Sequence, residues 1–90
     1  MVHQTACQGA MKAWKVYVKD WGKEPLGLTM ASTRGKALAR SYRSARESGY
    51  AIHWVDFRII RAPEFDDAHL KHGEFNWDYD YAMRMLSGEL

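Results

Sequence analysis

A chain of 90 residues, 47% of them hydrophobic and 13% aromatic, is long enough for one small domain whose core needs no disulfide bridges. The single cysteine, Cys7, cannot form an internal disulfide and lies in a polar segment without a positioned base, so the sequence favours a reducing compartment over a catalytic thiol. No apolar run approaches the roughly 20 residues of a membrane span, and the first residues lack a signal-peptide pattern. A cytoplasmic protein without membrane contact is therefore expected.

Charge is distributed unevenly along the chain, although the net charge is only +2. Residues 1–61 contain eleven Lys and Arg against four Asp and Glu, whereas residues 62–90 contain two Lys and Arg against seven Asp and Glu. Such asymmetry is typical of chains that bind charged partners. It is explained equally well if the basic and acidic parts face each other within the fold, so both interpretations stay open.

The amino-terminal half begins with a predicted hairpin. Residues 1–10 are expected to form a flexible extension, and residues 11–90 a single domain. In "MKAWKVYVKD" the side chains of Trp14, Val16 and Val18 alternate with polar ones, which predicts a half-buried strand. The turn residues of "WGKEPLG" precede a second alternating run, "LGLTMA", so the two runs predict an antiparallel hairpin with a loop of about five residues.

A helix and a third strand follow the hairpin. Ser32 or Thr33 is placed to cap the helix, and Gly49 to end it. The expected buried stripe of this helix consists of Leu38, Tyr42 and Ala45, with Ser41 and Ala37 beside it. The third strand, in "YAIHWVDFRIIRAP", is expected to point Val55, Phe57 and Ile59 inward.

The final element is predicted to be a helix over residues 77–87, capped by Asn76. The elements together predict an α+β fold of the type β-β-α-β-α. Its antiparallel sheet would have three strands in the order 3-1-2, with one helix packed on a face and a C-terminal helix at an edge or on the other face.

The segment "EFNWDYDY" combines four aromatic rings with three carboxylates. Placed on a helix at 100° per residue, its apolar sector is about twice as wide as one packing face requires. One side would then pack on the sheet, while the other, ringed by carboxylates, would bind a protein partner. Burial of both sides between sheet and loop is the alternative. The predicted partner-binding residues are Asp66, Asp67, Glu74, Trp77, Asp78, Tyr79, Asp80 and Tyr81.

Basic residues line the opposite side of the first helix from its apolar stripe. Like charges at this spacing repel each other, so helix stability does not explain them. They indicate contact with nucleic acid or another anion, or else a solvated helix face; a P-loop frame is absent. The residues of this alternative site are Arg34, Lys36, Arg40, Arg43 and Arg46.

No constellation for catalysis or for metal binding stands out. His69 and His72 are spaced for one helical turn but lack a third fixed ligand, and His53 has no nucleophile beside it. The sequence therefore predicts a non-enzymatic protein without metal or cofactor, either a monomer or a homodimer.

The stretch "ASTRGKALARSYRSARESGY", followed by "VDFRIIRAPEFD", resembles small uncharacterised proteins of phages and prophages. The similarity covers residues 12–67, and the segment "FNWDYDY" lies outside it. Many phage proteins of this size are host-takeover or anti-defence factors, including inhibitors of CRISPR effector complexes. The resemblance implies an inhibitor that works in the host bacterial cytoplasm by binding a nucleic-acid-handling host complex, with direct nucleic-acid binding as the alternative.

Overall fold

The computed structural model describes residues 11–88 as a four-stranded antiparallel sheet with helices on both faces. The predicted flexible extension lies outside the described residues. The strands are β1 (Lys12–Val18), β2 (Gly27–Ala31), β3 (Phe57–Arg61) and β4 (Asn76–Asp78), in the order β3-β1-β2-β4. The predicted α+β class and the order 3-1-2 are thus confirmed, whereas the predicted strand number was too low by one.

The β1–β2 hairpin follows the alternation in the sequence. Trp14, Val16 and Val18 are buried on one face, and Lys15 and Tyr17 point to the other. The connection between Val18 and Gly27 is longer than the predicted five residues. It is an irregular loop in which Asp20 and Gly22 both adopt positive φ angles, of 69° and 99°.

Helix α1 (Arg34–Glu47) covers the first face of the sheet. The Thr33 side chain accepts a hydrogen bond from the Lys36 N–H, as expected of a helix cap. The residues buried against the sheet are Ala37, Ser41 and Ala45, whereas the predicted Leu38 and Tyr42 are half-buried at the margin. Small side chains at the centre of the contact let the helix axis lie close to the strands.

The third strand is shorter than predicted. Phe57 and Ile59 are buried, but Val55 is 65% exposed, so its assignment to the inward face was wrong. The chain from Trp54 to Asp56 forms a turn of 3-10 helix instead, which takes Val55 out of the alternation of the strand.

The other face of the sheet is covered by the acidic third of the chain. A 3-10 segment (Pro63–Ala68) packs over the start of β1, a short helix α2 (His69–His72) follows, and helix α3 (Tyr79–Leu86) packs on β2 and β4. Both faces of β2 are therefore covered, and all five of its residues are buried. None of the helices in residues 11–88 is long and apolar enough to span a bilayer.

The predicted last helix was wrong at its start. Residues 76–78 form strand β4, and the helix begins at Tyr79. Asp78, not Asn76, caps it by accepting a hydrogen bond from the Tyr81 N–H at 3.4 Å. Pairing of β4 with β2 satisfies backbone groups that an isolated helical turn would leave free, so tertiary contact overrides the local pattern.

Candidate functional site

An aromatic cluster joins the core to the surface at β4 and α3. The Trp77 ring stacks on the buried Phe75 ring with centroids 4.0 Å apart, and the edge of Tyr81 meets Trp77 at 5.3 Å. His72 meets Trp77 edge-on, also at 5.3 Å. The aromatic cluster consists of His72, Phe75, Trp77 and Tyr81.

Strand alternation sets the direction of these rings. Trp77 lies opposite Leu28 in the β2–β4 register, so it shares the sheet face that α3 covers. Phe75 is two residues earlier and lies on the same face, 5% exposed. The sequence analysis missed His72 and Phe75 as members, because one spacing of two between Phe75 and Trp77 is too short to establish a strand period.

The predicted aromatic anchors differ in their exposure. Tyr81 is 43% exposed, whereas Trp77 and Tyr79 are half-buried. Helix α3 packs through Tyr79, Ala82, Met83 and Leu86, and Tyr81 projects away from that side. The rings are therefore not all buried within the monomer, and Tyr81 is the most accessible of them.

Asp66 acts within the fold. Its carboxylate accepts two hydrogen bonds from the Arg61 guanidinium, at 2.7 and 2.8 Å, and one from the buried Ala13 N–H at 2.8 Å. Arg61 also donates to the Ala13 carbonyl oxygen at 3.0 Å. The pair therefore fastens the segment after β3 to the start of β1, and Asp66 is a structural carboxylate.

Ion pairs within the molecule account for part of the charge asymmetry of the sequence. Besides Arg61–Asp66, the ion pairs Lys15–Glu64 at 3.3 Å and Arg40–Glu74 at 3.2 Å also join the basic part of the chain to the acidic part. The interpretation in which the two parts face each other thus explains Glu64, Asp66 and Glu74.

Four of the predicted carboxylates are exposed, namely Asp67, Glu74, Asp78 and Asp80, and of these Glu74 is paired with Arg40. Asp80 approaches Arg84 at 3.7 Å, but its side chain is 82% exposed, so this contact contributes little to stability. Asp78 and Asp80 precede Tyr81 in the chain by three residues and by one residue, and together with the aromatic cluster they form an acidic and aromatic surface.

The environment of the Asp66 carboxyl should make the stability of the fold decrease at acid pH. The hydrogen bonds from Arg61 hold its pKa below the ordinary value of 3.8, assisted by the Ala13 N–H and the charge of Lys12, while burial opposes them. Because the folded pKa is lower than the unfolded one, the stabilisation is complete above the unfolded value and is lost as pH falls through the folded pKa. We expect the urea concentration at the midpoint of unfolding to decrease as the pH is lowered below about 4.

In the Asp66→Asn variant residue 66 cannot ionise, so its urea midpoint should decrease less steeply over the same acid range. The decline should not vanish, since the pKa of Glu64 is also lowered, by a hydrogen bond to its own backbone and by Lys15. Parallel midpoint curves for the two proteins between pH 6 and pH 2.5, a range chosen about the ordinary carboxyl values, would contradict this role of Asp66.

The basic side of α1 is only partly free. The Arg34 Nε donates to the Ile59 carbonyl oxygen at 3.0 Å, and Arg40 donates to the Met30 carbonyl oxygen at 2.8 Å while pairing with Glu74. These two arginines hold the helix to the strands. Lys36, Arg43 and Arg46 are exposed members of the predicted anion site that do not bind these strands; Arg34 is exposed as well but donates to Ile59.

The histidines have contacts that do not require a metal. The His69 Nδ1 lies 2.8 Å from the Asp66 carbonyl oxygen, and His72 packs on aromatic rings. Within residues 11–88, no group of three His, Cys, Asp or Glu side chains is placed to hold a metal ion. Cys7 lies outside the described residues.

Comparison of the chain with models of protein families, with curated proteins and with solved structures finds no match.

Proposed function

We propose that the chain is a non-enzymatic interaction protein that binds another protein through its acidic and aromatic surface. The observation that carries the proposal is the exposed Tyr81 ring, held at 5.3 Å by Trp77, which itself stacks on the buried Phe75. A ring fixed in this way loses little conformational freedom on binding, and tyrosine is common among the residues that dominate interface energies.

The carboxylates beside Tyr81 define the chemistry of the partner. Asp78 and Asp80 are exposed, and the weak contact of Asp80 with Arg84 can be exchanged for a cation on another protein. A partner surface rich in Lys and Arg complements them. Such surfaces are typical of proteins that handle nucleic acids, which agrees with the role expected from the resemblance to small uncharacterised phage proteins.

The proposed partner is accordingly a nucleic-acid-handling complex of a bacterial host, of which a CRISPR effector is an example. Binding would block a site on that complex. Asp66 and Glu74, which were predicted as contacts, enter the proposal as residues that hold the surface in place, since both are bound to arginines of the same chain.

Tyr81→Ala combined with Asp80→Ala is expected to weaken partner binding by about 30-fold or more, because it removes an anchor ring and a facing charge. The partner would be found by comparing proteins captured from host lysate by the wild-type and variant chains, and its affinity then measured by titration calorimetry. Trp77→Ala is less suitable, since it also removes the contact with Phe75.

Tyr50→Ala is the matched control. Tyr50 is 51% exposed and contacts Trp21 near the end of α1; it lines a cavity that Trp77 and Asp78 also reach, but its ring contacts no ring of the aromatic cluster. A host protein retained by the wild-type chain and by Tyr50→Ala, but lost with the double variant, supports the proposal. Equal retention by all three chains excludes this surface as the binding site.

Sizing chromatography tests whether the partner is a second copy of the chain. A doubled mass of the wild-type chain that Tyr81→Ala abolishes would show that it is.

A further inference from the structure

Part of the sheet face that α3 covers remains open on β1 and β3. Helix α3 packs on β2 and β4, and the segment Pro63–Ala68 packs over the start of β1. Beyond them, Tyr17 lies directly opposite Arg58, and Lys15 opposite Ile60. Arg58 is exposed, and Ile60 is 44% exposed although it belongs to a strand of the sheet.

A groove of about 450 Å³ runs between this open face and the β1–β2 loop. The strands contribute Tyr17, Arg58 and Ile60 to its lining, and the loop contributes Lys19, Asp20 and Lys23. The lining thus contains three cations and one carboxylate. None of the three cations forms an ion pair with a described residue, whereas the neighbouring Lys15 is paired with Glu64.

The loop that carries the two lysines is held by backbone hydrogen bonds. The Lys19 N–H donates to the Asp56 carbonyl oxygen at 2.9 Å, and the Trp21 N–H donates to the Val18 carbonyl oxygen at 3.1 Å. The positive φ angles at Asp20 and Gly22 then turn the chain back towards β2. The backbone that carries Lys19 and Lys23 is thus held beside the strands, and these cations line the groove together with Arg58 and the half-buried Tyr17 ring.

We infer that this groove binds single-stranded nucleic acid, a function that does not depend on the proposed protein interface. Unpaired Lys and Arg complement phosphates, and an accessible ring on a sheet face gives an unstacked base a surface to stack on. Bases in a duplex are already stacked and do not expose their faces. An acidic peptide would use the cations but would not need an aromatic ring.

The test is fluorescence anisotropy with a labelled oligothymidylate of about 12 nucleotides, within the usual range of site sizes for one small domain. We expect wild-type binding that weakens with salt, with a log–log slope of about −2 for three phosphate contacts. Arg58→Glu should weaken binding by about tenfold or more and make the slope shallower. Tyr17→Leu should weaken it by roughly tenfold, whereas Tyr17→Phe should bind as the wild type does.

Lys71→Glu is the matched control, because Lys71 is an exposed cation on α2 that does not line the groove. It changes the net charge as Arg58→Glu does and should leave most of the affinity intact. Tyr81→Ala should also bind the oligonucleotide normally, so that failure of the protein interface and failure of this site can be told apart. Far-UV circular dichroism of each variant checks that it is folded.

Several results would overturn the inference. The first is the absence of wild-type binding at low salt. The second is an equal loss of affinity with Lys71→Glu and Arg58→Glu, and the third is equal affinity for a duplex of the same length. Binding of a polyglutamate peptide as tight as that of the oligonucleotide, and insensitive to Tyr17→Leu, would instead assign the groove to an acidic protein segment.

Discussion

Asp66→Ala is expected to lower the free energy of unfolding by about 2–3 kcal/mol. This is the range expected when hydrogen bonds to a charged group are lost and a buried donor is left without a partner. The variant loses the bidentate contact with Arg61 and leaves the Ala13 N–H, in a residue with 0% exposure, without its acceptor. For a domain of this size the melting temperature should fall by about 10 °C or more. Urea denaturation at neutral pH measures the effect.

Asp67→Ala provides the control at the next position. Asp67 is exposed and lies in the same 3-10 segment, but its side chain forms no hydrogen bond or ion pair within residues 11–88. Its removal should change stability by less than about 0.5 kcal/mol. Similar losses for the two variants would mean that overall negative charge, and not the Arg61 contact, is responsible.

Gly27→Ala is expected to destabilise the protein by about 1–3 kcal/mol, the usual cost of forcing an extra methyl group into packed structure. A Cβ at this position would lie 2.9 Å from the carbonyl oxygen of Trp77. That oxygen belongs to the β4 backbone, so it cannot move without disturbing the pairing of β2 with β4. Thermal unfolding followed by circular dichroism measures the loss.

The same substitution should also weaken partner binding, because β4 carries Trp77 and leads directly into the helix that carries Tyr81. Gly35→Ala is its control: no atom lies within 4 Å of a Cβ at Gly35, and the residue is already helical. Gly35→Ala should leave binding unchanged and stabilise the fold by up to about 1 kcal/mol. A Gly27→Ala protein as stable as the wild type would contradict the close approach of β2 and β4.

The candidate site was only partly predictable. The sequence placed Tyr81 among its aromatic residues and Asp78 and Asp80 beside it. In the structure the Tyr81 ring contacts Trp77, and the Asp78 carboxylate accepts a hydrogen bond from the Tyr81 N–H. The sequence did not reveal that Asp66 binds Arg61 and that Glu74 binds Arg40. Arg61 is only five positions from Asp66, but both meet Ala13, across 48 and 53 positions, and Glu74 meets Arg40 across 34 positions. A charge pattern does not distinguish carboxylates that are paired within the fold from those left for a partner.

The sequence by itself determined the elements whose signals are local and repeated. Alternation over seven residues predicted β1, and Ser32 or Thr33 was predicted to cap α1, a role that the structure gives to Thr33. Together with β3 these elements predicted the order 3-1-2. Tertiary structure decided the rest. Three residues are too few to show a period, so Asn76, Trp77 and Asp78 fit a helix as well as a strand until β2 supplies the hydrogen-bonding partner. Pairing between distant segments also fixed which carboxylates are bound internally, and which face of the sheet stays open around Tyr17 and Arg58.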